Sequence, residues 1–253
     1  MTKRDQRLVR QAIFAGLIIT AFNSCSDKEL SDTFSTIETN NIVDNYYVPG
    51  KMLATTSEIE NNIILLNWSR SYGDYARDNF DLASQIYNYQ TTNKTEYNRY
   101  IDYAKYYGDT VYNKWHNLSE IEWISVMPLI SVDITSDKEF DANHPANSNI
   151  NDLCTFVDYG NNIYAFIHDT DENGVPLYKG RNGNLLLHDS QYYNVNEIKT
   201  NPIIMPSESN YIRFDKLPEK NGTYNITISI KFGPDPITGQ ETEIEPVTVE
   251  MKF

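Results

Sequence analysis

Between Asp169 and Gly174 the chain reads Asp-Thr-Asp-Glu-Asn-Gly, so Asp169, Asp171 and Asn173 set oxygen ligands at alternate positions ahead of a glycine. Calcium loops begin in this way. The twelfth position, where such a loop needs a bidentate acid, holds Gly180. The flanking segments Ile163 to Ile167 and Val175 to Tyr178 read as strands, and Asp, Asn and Gly supply the backbone angles of a hairpin turn between them. The turn is therefore preferred over the calcium site, and no cofactor is implied.

The other reactive residue types are more dispersed. His116, His144, His168 and His188 show no metal-ligand spacing, and no HExxH, GxSxG, Walker or dinucleotide signature is present. His168-Asp169 and His188-Asp189 fall at the ends of expected strands, without a nucleophile in view. Cys154 sits among Leu153, Thr155, Phe156 and Val157, which describes a packed thiol in a buried strand rather than a nucleophile. Asp109-Thr110-Val111 resembles the acceptor for O-glycosylation in exported Bacteroides proteins, which makes Thr110 a candidate site. Tyrosine and tryptophan bring large contact area and a polar edge at little entropic cost, so exposed ones among the 19 tyrosines are the chain's positive hint of binding, while Trp68, Trp115 and the tyrosines at helical spacing are read as core between the hairpin and the sandwich.

The N-terminus carries a different chemistry. Lys3, Arg4, Arg7 and Arg10 precede an uncharged run from Ala12 to Phe22, the charged and apolar regions of a signal peptide. The run is about half the ~20 residues needed to cross a bilayer core. Phe22-Asn23-Ser24-Cys25 resembles the lipobox of bacterial lipoproteins, in which the cysteine is acylated and becomes the first residue of the mature protein. Cys25 is thus the expected lipidation site, and its several acyl chains would hold the protein on a membrane. Ser26 after Cys25 argues by resemblance to sorting rules against inner-membrane retention, and Asp27 and Glu29 resemble a surface-export signal. The outer membrane, facing the cell surface, is the expected place, with the periplasmic leaflet as the alternative.

Charge limits the partners. The formal net charge is −14, and removal of residues 1–24, which carry a net +3, leaves −17. Such a body repels nucleic acid and anionic head groups. With Cys25 taken by lipid, Cys154 has no partner for a disulfide.

The elements that would position these residues follow from periodicity. Residues 25–54 are polar and read as a tether, and residues 55–119 read as an antiparallel helical hairpin. Its first helix is marked by Ser57 with Glu60 and by Leu65, Trp68, Tyr72, Ala76, Phe80, Ala83 and Tyr87. Its second is marked by Asn93 with Glu96 and by a stripe from Tyr97 to Leu118. Gly73 and Gly108 lie at the same height in such a pair and would face one another. From 120 to 253 the period is two, clearest at Tyr224, Ile226, Ile228, Ile230 and Phe232, answered by Val247, Val249, Met251 and Phe253.

The expected class is therefore α+β, an N-terminal antiparallel helical hairpin followed by an immunoglobulin-like β-sandwich. With its signal segment, Asn- and Tyr-rich composition and last strands, the chain resembles uncharacterised Bacteroidetes lipoproteins that place an immunoglobulin-like β-domain behind a lipidated cysteine. That resemblance implies a non-catalytic binding or assembly module for a glycan or protein ligand. An exported hydrolase and a periplasmic scaffold or immunity-type lipoprotein are the alternatives.

Overall fold

A computed structural model describes residues 43–57, 59–68, 82–109, 123–158, 163–168 and 190–253. Cys25, Thr110, Asp169, Asp171 and Asn173 lie outside the described residues, as do Tyr72, Gly73 and the strand expected at Val175 to Tyr178. The clearest sequence alternation forms the longest strand among the described residues. In β10 (Thr223–Phe232) Tyr224, Ile226, Ile228, Ile230 and Phe232 point into the core, while Asn225 and Lys231 face out. It pairs antiparallel with β11 (Val247–Lys252) and with β6 (Leu129–Ser136), giving the sheet order β11-β10-β6.

A second sheet has the order β2-β3-β9-β7-β8, from β2 (Leu53–Thr56), β3 (Ile63–Asn67), β7 (Cys154–Asp158), β8 (Gln191–Asn194) and β9 (Ser209–Phe214). All of its neighbours are antiparallel. The third sheet, β4-β1-β5, sets β1 (Asn45–Pro49) antiparallel to β4 (Ala83–Asn88) and parallel to β5 (Trp123–Ser125). Side chains from all three sheets join one hydrophobic core, including Tyr46, Ile64, Phe156, Ile212 and Ile228.

The helical hairpin expected over 55–119 is overturned. The described residues are 43% strand and 14% helical, and the expected first helix holds β3 and β4 instead. Ile63-Ile64-Leu65-Leu66 satisfies both periods. Pairing with β9 decides between them, because it buries Ile64 and Leu66 against Ile212 on one face of a sheet. Ser57 still caps locally: its Oγ accepts from the amides of Ile59 and Glu60, both at 3.2 Å, and so shapes the β2–β3 connection. The α+β class and the hairpin-on-sandwich architecture give way to a mostly β fold of three sheets.

Among the described residues the one long helix, α1 (Lys94–Tyr107), starts where the sequence places it. Asn93 accepts from Thr95 N at 3.0 Å and Glu96 N at 3.5 Å, and its Nδ2 donates to Glu96 Oε1 at 3.0 Å. It ends at Gly108, in the left-handed region at φ 75°, where Gly108 N donates to Lys105 O and Asp109 N to Ala104 O. Gly108 is therefore a helix stop and not a mid-helix contact point. Two further expectations fail. Ile163 to Ile167 forms a short helix, α2 (Ile163–His168), in place of a strand, and residues 45–49, read as tether, form β1 with every residue buried.

Candidate functional site

Antiparallel register places alternate residues of neighbouring strands on one face. On one face of the five-stranded sheet, one row runs Thr55, Leu65, Tyr211, Val157 and Tyr192, with Val157 fully buried between the two tyrosines, and the next runs Ile63, Arg213, Thr155 and Asn194. Leu65 is 46% exposed and Tyr192 55%, so apolar and aromatic surface is open on either side of the buried Val157. Burial, and after it the neighbouring Tyr192 hydroxyl, raise the Tyr211 phenol above its ordinary value. The Arg213 guanidinium lies 5.6 Å from the Tyr192 ring centre. It is itself fixed by Asp215 at 2.8 Å, while Thr155 Oγ1 donates to the other carboxylate oxygen of Asp215 at 2.5 Å. The face thus combines two tyrosines with a guanidinium, a carboxylate and a hydroxyl held at fixed positions.

A second cluster joins the β6–β7 connection to the β9–β10 connection. His144 Nδ1 lies 2.6 Å from Asp141 Oδ1 and its Nε2 lies 3.0 Å from Asp152 Oδ1. Lys216 donates to Asp141 Oδ2 at 2.5 Å. Hydrogen bonds from Lys216 and then from His144 hold the Asp141 carboxyl well below the usual range. The hydrogen bond with Asp141 chiefly raises the His144 imidazole. No hydroxyl or thiol among the described hydrogen-bond partners of His144 stands ready for activation as a nucleophile.

A third cluster is buried at the end of the five-stranded sheet. Ser207 Oγ donates to Asp158 Oδ1, Asn210 Nδ2 donates to Ser207 O at 2.9 Å and Tyr47 donates to the same carbonyl at 3.2 Å. Ser207 and Asp158 are both almost fully buried. A serine locked this way pins β7 to β9 and leaves its oxygen unavailable to a substrate.

Of the residues singled out in the sequence, Cys154 lies buried in β7, where burial pushes its thiol well above the ordinary value. Trp68 is core, stacked on Phe156 with ring centres 6.3 Å apart and edge-on to Phe232 at 5.5 Å. His168 packs on Tyr164, ring centres 4.3 Å apart, beside Gly108. Asp109, the first residue of the Asp-Thr-Val motif, is buried with its carboxylate accepting from Val43 N at 3.0 Å and the Tyr46 hydroxyl at 3.1 Å. Among the described residues no three His, Cys, Asp or Glu side chains converge as metal ligands, and no helix is long and apolar enough to cross a membrane.

The sequence reading missed the two tyrosines of this sheet face and the His144 cluster. Tyr192 and Tyr211 are separated by β7 in the sheet, and Lys216 is 75 positions from Asp141. Only the Asp141–His144 spacing was local enough to find. Comparison with protein-family models, with curated proteins and with solved structures finds nothing that matches the chain.

Proposed function

We propose that this protein is a lipid-anchored module of the cell envelope that binds a glycan, without chemistry of its own, on the Tyr192 face of its five-stranded sheet. The observation that carries the binding role is the row Leu65, Tyr211, Tyr192 with Arg213, Asp215 and Thr155 beside it. A sugar ring offers a C–H face to stack on a phenol and hydroxyls to bond with fixed polar groups around it. Sites of this kind are mostly apolar with a few placed polar atoms. Support for the anchor is the charged, apolar and Ser24-Cys25 sequence at the N-terminus, with surface display favoured by the acidic residues that follow. The buried Cys154 and the locked Ser207 favour binding over nucleophilic catalysis.

Purified protein retained on an array of envelope and dietary-type polysaccharides tests the reading. Tyr192→Ala, at an exposed position, should leave the melting temperature nearly unchanged and reduce retention about tenfold or more, the loss of one stacking partner of roughly 1.4 kcal/mol. Wild-type protein that binds no glycan, or a Tyr192→Ala variant that binds as well as wild type, would refute it. For the anchor, Cys25→Ser should move the protein from the detergent phase to the aqueous phase.

A further inference from the structure

β6 ends at Ser136 and β7 begins at Cys154, and the connection between them is held over an aromatic nest. Phe140 is 1% exposed, stacked on Phe214 with ring centres 5.9 Å apart and edge-on to Tyr224 and Phe253 at 5.9 and 5.8 Å. The chain beyond it turns back on itself: Phe140 N donates to His144 O at 2.8 Å, and His144 N donates to Asp141 O at 3.0 Å. Asp141 Oδ1 also accepts from the amides of Asn143 and His144 at 2.9 and 3.0 Å. Asn147, at φ 63°, sends its amide back to Ser136 O at 2.7 Å.

His144 then bridges outward to the turn at 151–153. We infer that His144 is a proton-operated latch: as an imidazolium it ties the loop from Asp141 to Asn149 to Asp152, and on losing a proton it lets go of Asp152 and loosens the loop over the Phe140 nest. The geometry suits the charged form. Ionised carboxylates only accept, and both ring nitrogens face one, at 2.6 Å from Asp141 and at 3.0 and 3.2 Å from the two oxygens of Asp152. A neutral ring has a single N–H and can satisfy only one of them.

Which bond fails is set by burial. The Asp141 side chain is 2% exposed, already accepts from two amides and Lys216, and cannot turn away. Asp152 is 55% exposed and can rotate into water. The neutral ring therefore keeps its N–H on Nδ1 toward Asp141, and the bare Nε2 lone pair repels Asp152. Among the described residues, the charges near the latch include Lys216 and Glu219 on the β9–β10 connection, Asp215, whose amide donates to Leu153 O at 2.9 Å, and Lys220 paired to Glu139 at 3.2 Å.

The signs give the pH window. His144 titrates above its ordinary value, chiefly through its hydrogen bond with Asp141. Its contribution is therefore complete below about 6.5 and lost as pH rises through the higher folded value. Asp141 titrates below its ordinary value through Lys216 and His144, so its contribution is present above about 3.9 and lost as pH falls through the lower folded value. The latch is closed in mild acid and opens toward the alkaline side. Asp152→Asn should abolish that dependence, because an amide donates to a bare Nε2 as readily as it accepts from a protonated one.

The full-length chain in detergent, labelled with 15N-histidine, has only four imidazoles, and His→Gln variants at 116, 168 and 188 identify His144 by elimination. Both ring nitrogens of His144 should be protonated near neutrality, with a titration midpoint above about 6.5, and Asp152→Asn should bring that midpoint down toward it. Amide exchange at His144 and Asn147, corrected for base catalysis, should accelerate above the midpoint in wild type and not in Asp152→Asn. A midpoint at or below about 6.5, or the same pH dependence of exchange in the two proteins, would overturn the latch.

Discussion

Tyr103 and Asp235 share a buried hydrogen bond, yet the two groups are not equivalent. The Tyr103 hydroxyl donates to Asp235 Oδ2 at 2.5 Å, while Asp235 Oδ1 accepts from the amides of Ile237 and Thr238 at 2.8 and 3.0 Å. The carboxylate thus accepts from the Tyr103 hydroxyl, the two amides and the Thr238 hydroxyl, and fixes the connection after β10 against α1. Tyr103→Phe removes one bond and leaves the carboxylate its two amides, a loss of about 1 kcal/mol. Asp235→Ala strands a buried hydroxyl and two amides, and should cost about 2–4 kcal/mol. Urea denaturation should rank the two in that order, and equal losses would mean that the turn amides do not depend on Asp235. The same asymmetry explains why so many tyrosines of this chain are internal. Tyr100 donates to Val43 O at 2.6 Å, Tyr107 to Val126 O at 2.6 Å, and Tyr46 to Asp109. Each hydroxyl has an acceptor, and burial raises the phenols of all four tyrosines. None of these acceptors was legible in the sequence. They are backbone carbonyls or acids brought close only by tertiary packing, so the periodicity that marked Trp68, Tyr100 and Tyr107 as core could not name their partners.

At the scale of elements, legibility followed how strictly one periodicity excluded the other. β10 and β11 alternate without exception and formed as the pattern required, and Asn93 with Glu96 marked the start of α1. β3 and α2 were misread because Ile63 to Leu66 and Ile163 to Ile167 satisfy strand and helical spacing alike. There the neighbours chose, and neighbours are not written in a local window. Gly108 provides a test in which the two readings differ in sign. Inside a helix, replacing glycine with alanine stabilises by about 1 kcal/mol. At the left-handed stop observed here, φ is 75° and an added Cβ would sit 3.3 Å from His168 Cε1, so Gly108→Ala should destabilise by about 1 kcal/mol or somewhat more. A thermal melt that moves upward would restore the continuous helix and displace the cap.

The molecule as a whole is interleaved, although its sequence suggested a boundary near residue 120. β3, from the first half, lies between β2 and β9 as the second strand of the five-stranded sheet, and β1 lies between β4 and β5. The C-terminal part therefore lacks its own closure. A fragment of residues 120–253 would lose Tyr46, Tyr47, Ile64, Leu66, Trp68, Tyr100 and Tyr103, each nearly or fully buried in the shared core. At about 1.5–3 kcal/mol for each large side chain, that burial amounts to roughly 10–20 kcal/mol. The net stability of a domain is only about 5–15 kcal/mol. The loss would also leave the ladder edge of β9 open from Ser209 to Arg213, a template for aggregation. The fragment 120–253 should accordingly be insoluble or lack a cooperative thermal transition and near-ultraviolet circular dichroism, while the full-length chain shows both. β10, β11 and β6 would still carry their alternation, so residual strand signal without cooperativity is the expected form of failure. A fragment that melted cooperatively with the full-length aromatic spectrum would show that the strands after residue 120 close a core of their own, and that β1 and β3 are additions to it.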